Sequence, residues 1–333
     1  MKSRILRYFY FFLFSIFLLS ACNQTIPDTS KIEPPPLRVS YNLWPGYFPV
    51  AIAKEKGFFQ QQGVKVEAIY SDNYLAPLSD FSGGNYDGIA IALGSVMNLI
   101  EKNPNAQIVL VTDRSAGADA IVARREIQSV ADLKGKRIGA KLSDFGELFV
   151  TKMLEKNGLA ANDVKLVNLE GEMIPSHLQS GDIQAGHTWN PYASGAVKAG
   201  AKVIFSSKQT PGLITDVIVF RSDVVRARPD EIKAFVRAWF QAQDYWKAHP
   251  EESKNLIAKS VPIKPEEIST DGIHLATLKD NLKTFAPGST EESLYYTAKL
   301  YADFYIRTGG LSTAPDIQKL INPSFIEQLQ GES

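Results

Sequence analysis

Asp132-Leu-Lys-Gly-Lys-Arg-Ile-Gly139 is the stretch at which the pattern of this 333-residue chain begins again. Ahead of it, β-rich or apolar runs at 37–43, 64–70, 87–93 and 108–112 predict strands. Between them, 49–56, 75–81 and 96–102 predict short helices. Pro49 opens the first of these helices and Gly57 closes it, the usual asymmetry of helix ends. A strand at 120–124 leads into the quoted stretch, and its Arg137–Ala140 end predicts another. Strands at 164–169, 183–188, 202–205 and 216–221 then alternate with helices at 148–157, 174–180 and 192–199. Such alternation predicts parallel, doubly wound α/β sheets, and its restart predicts two of them.

Outward from there, the chain beyond Pro229 reads as helical. Ile232, Phe235, Val236, Trp239, Phe240, Gln243 and Trp246 recur at helical spacing over 231–248. The same period predicts helices over 266–283 and 291–307, where Tyr295, Tyr296, Leu300 and Phe304 form an aromatic stripe read as core. Each of these helices has one apolar face to bury, so they are expected to pack on the first sheet. The chain then crosses between lobes twice, near Ala120 and near Asp216. That assigns 37–120 plus 217–333 to one lobe and 121–216 to the other, joined by a two-segment hinge.

The N-terminus carries Lys2, Arg4 and Arg7, then an apolar run over 8–19 and the small residues Ser20 and Ala21 before Cys22. These are the three parts of a secretory signal peptide, and the run is shorter than the roughly 20 residues of a membrane span. Leu19-Ser20-Ala21-Cys22 resembles the lipobox of bacterial lipoproteins, in which the cysteine is lipidated. We expect residues 1–22 to be the signal and Cys22 the lipidation site, anchoring the exported protein to the cell membrane. An uncleaved anchor helix or an ordinary signal peptide are the alternatives. Cys22 is the single cysteine, so no disulfide forms within the chain. Residues 23–36, with Pro27 and Pro34-Pro35-Pro36, read as a disordered tether. The whole chain is formally neutral, and loss of the three N-terminal bases leaves a net charge of about −3. No basic domain marks a nucleic-acid partner.

The chain resembles the nitrate/sulfonate/taurine class of ABC-transporter substrate-binding proteins, whose fold the thiamine-pyrimidine synthases share. Four pieces carry the resemblance: Trp44-Pro-Gly-Tyr47 followed by Ala53-Lys-Glu-Lys-Gly-Phe58; Asp132–Gly139; Leu178-Gln-Ser-Gly-Asp-Ile-Gln-Ala185 leading to Trp189-Asn-Pro191; and the lipobox with its tether. The chain departs from the common pattern at Gln184, where an acid is frequent, and at His187. The resemblance implies a periplasmic-binding-protein type II fold, in which two lobes close around a small organic molecule. It also implies a monomer that docks on a permease served by an ATPase. Sulfonate- or taurine-like and aminopyrimidine- or thiamine-precursor-like ligands both remain open.

Ligands of open α/β sheets bind beyond the carboxyl ends of the strands. That places Trp44, Tyr47, Tyr74, Ser95, Asp113, Phe145, Glu147, Trp189, Asn190 and Tyr192 as candidate ligand contacts. The aromatics can form a stacking cage or merely pack lobe against lobe. Acids recur too, at Asp72, Asp113, Asp144, Glu147, Glu170 and Glu172, which argues against an inorganic anion and for an amine or an aminopyrimidine-like donor edge. Asp144 and Glu147 have the spacing of a helix capping box, so capping competes with ligand contact there. Asp216 falls near the second crossing and can belong to the hinge.

No dinucleotide, P-loop or G-x-S-x-G motif occurs, and His177, His187, His249 and His274 do not pair at metal-ligand spacing. We therefore expect no enzyme, no cofactor and no metal. A ligand sensor signalling to a membrane partner, and an enzyme on the same fold, are the other classes considered. Cys22→Ala is expected to leave the protein unprocessed or to release it from the membrane fraction. Unchanged lipid labelling of that variant would refute the anchor.

Overall fold

The computed structural model of the chain describes residues 34–331. The expected signal peptide, Cys22 and the tether up to residue 33 lie outside the described residues. Among the described residues eleven strands form two mixed sheets. β1 (Leu37–Tyr41), β2 (Val66–Tyr70), β3 (Gly88–Ala92), β4 (Ala106–Ser115), β10 (Thr215–Arg221) and β11 (Ile273–Leu275) make a six-stranded sheet in the order β11-β4-β10-β3-β1-β2. β5 (Asp119–Ala123), β6 (Arg137–Ala140), β7 (Lys165–Asn168), β8 (Ala185–Trp189) and β9 (Lys202–Ser206) make a five-stranded sheet in the order β7-β6-β8-β5-β9.

Neither sheet is wholly parallel, as the alternation alone predicts. β1 pairs in parallel with β2 and β3, but β10 runs against both β3 and β4, and β11 runs against β4. In the other sheet β6 is parallel to β7 and β8, while β5 opposes β8 and β9. The two reversed interior strands, β5 and β10, are the ones entered directly from the opposite sheet. A strand that arrives without a crossover helix has no device to turn it parallel. The crossings are short, between Ser115 and Asp119 and between Ser206 and Thr215. Asp119 and Ala120 therefore stand in the five-stranded sheet, and Thr215 and Asp216 in the six-stranded one, each opposite to the boundaries expected from sequence.

The stretch that restarts the pattern folds as it reads. The Asp132 carboxylate accepts the backbone N–H groups of Gln128 and Ser129, both at 2.9 Å, Leu133 is fully buried, and Gly135 turns at φ 73° into β6. α1 (Pro49–Lys56) starts on proline and ends on Gly57 at φ 70°. α2 (Leu93–Lys102) follows β3 and α3 (Phe145–Lys156) follows β6 without long loops. α4 (Pro229–Ala248) and α5 (Leu294–Thr308) carry the expected aromatic faces, with Phe235, Trp239, Tyr301 and Tyr305 buried. Phe235 stacks on Phe59 at 5.4 Å and meets Phe220 of β10 edge-on at 5.2 Å, which locks α4 to the six-stranded side. No described helix is long and apolar enough to cross a membrane.

The helix expected over 266–283 is not there. That segment makes a turn over Pro265–Glu267, the strand β11, and a helix only from Leu278 to Thr284. Gly272, at φ 77°, breaks the helical period, and its carbonyl accepts the N–H of Ala116 at 2.7 Å and of Ala118 at 3.0 Å. A Cβ on it would lie 2.5 Å from the Ala118 nitrogen, so glycine alone lets this loop lie against the first crossing. The new helix starts on Thr277, whose side chain exchanges hydrogen bonds with Asp280. Gly272→Ala is expected to destabilise the fold by roughly 1–3 kcal/mol. Urea unfolding checks this; an unchanged midpoint would show that the crossing does not depend on that close approach.

Candidate functional site

The two sheets face each other across a cavity with about 240 Å³ of empty space. Trp44, Tyr47, Tyr74, Ala92, Ile214 and Asp216 line it from the six-stranded side, and Asp119, Phe145 and Trp189 from the five-stranded side. Five of the expected site residues thus meet at one place. Their positions come from the ends of strands: Trp44 and Tyr47 follow β1, Tyr74 follows β2, Phe145 opens α3 after β6, and Trp189 ends β8.

Hydrogen bonds hold the aromatic walls. Trp44 Nε1 donates to both carboxylate oxygens of Asp113, at 3.0 and 3.1 Å. A Cβ on Gly46 would fall 1.8 Å from Asp113 Oδ2, so the Trp44-Pro-Gly-Tyr turn closes over that carboxylate only because position 46 has no side chain. Tyr47 donates its hydroxyl to Asp216 Oδ1. The Tyr74 hydroxyl accepts the Ala92 N–H at 3.1 Å and meets Ser95 Oγ at 3.2 Å. Trp189 lies on Gly171, where a Cβ would be 2.1 Å from Cζ3 of the indole. The rings of Tyr74 and Trp189 face each other across the cleft at 5.4 Å, and Tyr74 and Phe145 at 5.9 Å. Ser95 Oγ donates to Asp144 Oδ1 at 2.7 Å, and Asn98 donates to the Ser143 carbonyl, so α2 and the start of α3 are tied together above the cavity.

Ser95 and Asp113 stand one layer behind the cavity, bonded to its wall residues rather than lining it. Asp113 lies inside β4, which runs on to Ser115, and pairs across the ladder with Asp216. Glu147, Asn190 and Tyr192 are not in the lining. Glu147 accepts the Ser143 N–H at 2.7 Å, and Asp144 accepts the Phe145 N–H at 2.6 Å, so both acids do cap α3, one and two residues away from the capping-box partners. Asn190 accepts from Ser194, and Tyr192 meets Trp189 edge-on at 6.3 Å from outside. The departures at 184 and 187 are structural here: Gln184 accepts the Arg137 N–H at 3.1 Å, and His187 Nε2 bonds Asp119 Oδ1 at 2.9 Å between the edges of Phe145 and Phe149. Among the described residues no group of three or more potential ligands is arranged to hold a metal.

Asp119 and Asp216 were not among the expected contacts. The sequence signal for both was the same: each lies at the start of a strand entered directly from the other sheet. Burial raises the carboxyl pKa of Asp113, Asp144 and Asp216. It pushes Asp113 up to about 7, against the opposing pull of its bonds from Thr112 and Trp44, with the charge of Asp119 adding to the rise. Asp144 is pushed to about 6 by burial, and Asp216 well above its usual range by burial and then by the charge of Asp113. Carboxyls that hold protons more tightly folded than unfolded make stability fall as pH rises from near 4 through the folded pKa. The protein is therefore expected to melt at a lower temperature at pH 8 than at pH 5. Asp113→Asn should flatten that slope, by an amount on the order of a few kcal/mol. Thermal melts across this range check the sign; a variant with an unaltered slope would mean that Asp113 is not the group titrating.

Comparison with known proteins places this architecture. A family model described as NMT1/THI5 like matches residues 44–253. A putative aliphatic sulfonates-binding protein of Bacillus subtilis is 25% identical over 336 residues, covering 95% of this chain and 95% of that one. Among solved structures, the alkanesulfonate-binding protein SsuA of Xanthomonas axonopodis pv. citri, bound to MOPS, superposes with a TM-score of 0.71 at 16% identity, covering 87% of this chain and 99% of that one. The desulfurization enzyme DSZB superposes with a TM-score of 0.65 at 16% identity, covering 89% and 99%, so the same fold also carries catalysis.

Proposed function

The chain belongs to the NMT1/THI5-like family, and from that premise we propose that it is the solute-binding component of an ABC importer. It captures a small organic molecule between the two sheets and presents the closed form to a permease and its ATPase. One chain forms the whole site. Export and attachment through a lipid on Cys22 would hold it at the membrane where the permease sits. The observation that carries this reading is the aromatic cluster assembled from both sheets, between which the chain passes only by two short crossings. Two lobes on such a joint can swing apart to admit a ligand and close on it.

The site supports binding rather than turnover. The aromatic walls offer area for a ring or an apolar body, and the few polar groups converge at one end, the layout of a binding pocket. His187, the one histidine near the cavity, has its Nε2 on Asp119 and its ring wedged between two phenylalanines, away from any free nucleophile. The cleft has room for little more than a water molecule, about 10 Å³, because its aromatic walls touch at 5.4 to 6.0 Å, so a solute enters only when the two sheets part.

A thermal-shift screen of taurine, alkanesulfonates, nitrate, bicarbonate, aminopyrimidines and riboflavin-like compounds is the test. A true ligand at 100 times its Kd should stabilise the protein by about 2.7 kcal/mol. Trp189→Ala should then weaken that ligand more than tenfold, about 1.4 kcal/mol, with folding retained. Deletion of the gene should also remove uptake of the same solute. Unchanged affinity in the variant would take Trp189 out of the site, and unchanged uptake would remove the importer role.

A further inference from the structure

The polar end of the cavity has one sign of charge. Its lining contains two carboxylates, Asp119 and Asp216, and no lysine or arginine. Asp113 stands immediately behind, as the cross-strand partner of Asp216. All three are almost wholly buried, at 2%, 3% and 0% exposure respectively. Only acids, tyrosines and neutral donors surround them: Tyr47, Tyr74, Thr112, Trp44, and Tyr301 from α5, with His187 on Asp119. Buried acids in a protein are ordinarily paired with a base; here Asp119 has only the imidazole of His187, and Asp113 and Asp216 have none.

The three acids differ in how far the protein satisfies them. Asp113 is fully engaged, with Trp44 on both oxygens and Thr112 Oγ1 on Oδ2 at 2.8 Å. Asp119 receives His187 on Oδ1 alone, and Asp216 receives Tyr47 on Oδ1 alone. Among the described residues neither Oδ2 has a donor, and both residues line the cavity. The open oxygens come from opposite sheets and from the two points where the chain crosses. The charge of Asp119 is one of the causes that push the carboxyl of Asp216 up. A positive charge from outside the protein would relieve that repulsion; a negative one would add to it.

One helix end at the cleft is already taken by a carboxylate of the protein. α3 begins at Phe145, which lines the cleft, and a helix N-terminus is a natural anion seat. Asp144 already occupies it, accepting the Phe145 N–H at 2.6 Å while Ser95 fixes its carboxylate at 2.7 Å. A sulfonate entering this cavity would meet, at α3, a helix end capped by the protein's own carboxylate, and two further acids with no lysine or arginine in the lining to offset them.

We propose that the solute taken by this cavity is a small organic cation, its charged nitrogen set against Asp119 and Asp216 and its ring or apolar body between Trp44, Tyr74, Phe145 and Trp189. This rests on the solute-binding reading above and narrows it, setting the chain apart in specificity from relatives named for sulfonates. His187 acts here as a positioning residue, holding Asp119 by one oxygen so that the other faces the cavity.

The test uses the full chain purified in detergent and a panel of ring-bearing primary amines, amidines and aminopyrimidines. Each is matched by a neutral alcohol and a sulfonate of the same body, for example benzylamine, benzyl alcohol and phenylmethanesulfonate. Binding is read by titration calorimetry and by quenching of tryptophan fluorescence. The expected binders are the cationic members, each weakened at least tenfold by Asp119→Asn and by Asp216→Asn. The ligand-free melting temperature of both variants should hold or rise, because a buried repulsion is removed; a purely structural role would lower it. Sulfonates that bind while the amines do not, or amines that ignore both substitutions, would overturn the cation and leave solute capture standing. A panel in which no charge class binds would count against capture itself.

Discussion

β10 is inserted between β3 and β4 and runs against both. A chain that leaves the six-stranded sheet at Ser115 must come back into the middle of that sheet, not onto its edge, and everything around the cavity follows from this. The return closes the hydrogen-bond ladder, gives α4 an aromatic partner in Phe220, and sets Asp216 beside Asp113. It also leaves the five-stranded sheet tethered by two short strands of chain rather than one. Two tethers define an axis about which two bodies can turn, where one tether would leave them free to separate.

The cost of this arrangement is concentrated at the cavity. Asp113 and Asp216 are drawn out of water by the same burial that makes the sheet stable, with no base beside them. A buried carboxylate without a counter-charge is the kind of feature that folding alone would replace by an apolar residue. Here it is retained and even supported, by Trp44, Thr112, Tyr47 and His187. Stability surrendered at one concave place is what a binding site looks like in energetic terms.

Much of this was visible in the residues. Strong punctuation marked the elements well: Pro49 and Gly57 bound α1, and Asp132 and Gly135 lead into β6. The aromatic cage was also legible, because Trp44, Tyr74 and Phe145 follow strands and Trp189 ends one. The failure over 266–283 had its own clue in Ser269-Thr-Asp-Gly272, a turn sequence that an accidental helical period masks. The reversed directions of β5 and β10 had none, since an apolar run reads alike in either direction.

The sequence by itself determined the kinds of element, their order and the restart at Asp132, because periodicity, prolines and glycines act over a few residues of chain. It also supplied the aromatics and an excess of acids at strand ends. Only the tertiary structure decided which acids matter. Glu147 and Asp144 turn inward to cap their own helix, whereas Asp119 and Asp216, almost a hundred residues apart, meet at one cavity. The physical reason is that burial and charge repulsion are properties of three-dimensional neighbourhood. Those neighbours are brought together by strand pairings whose register no local pattern contains.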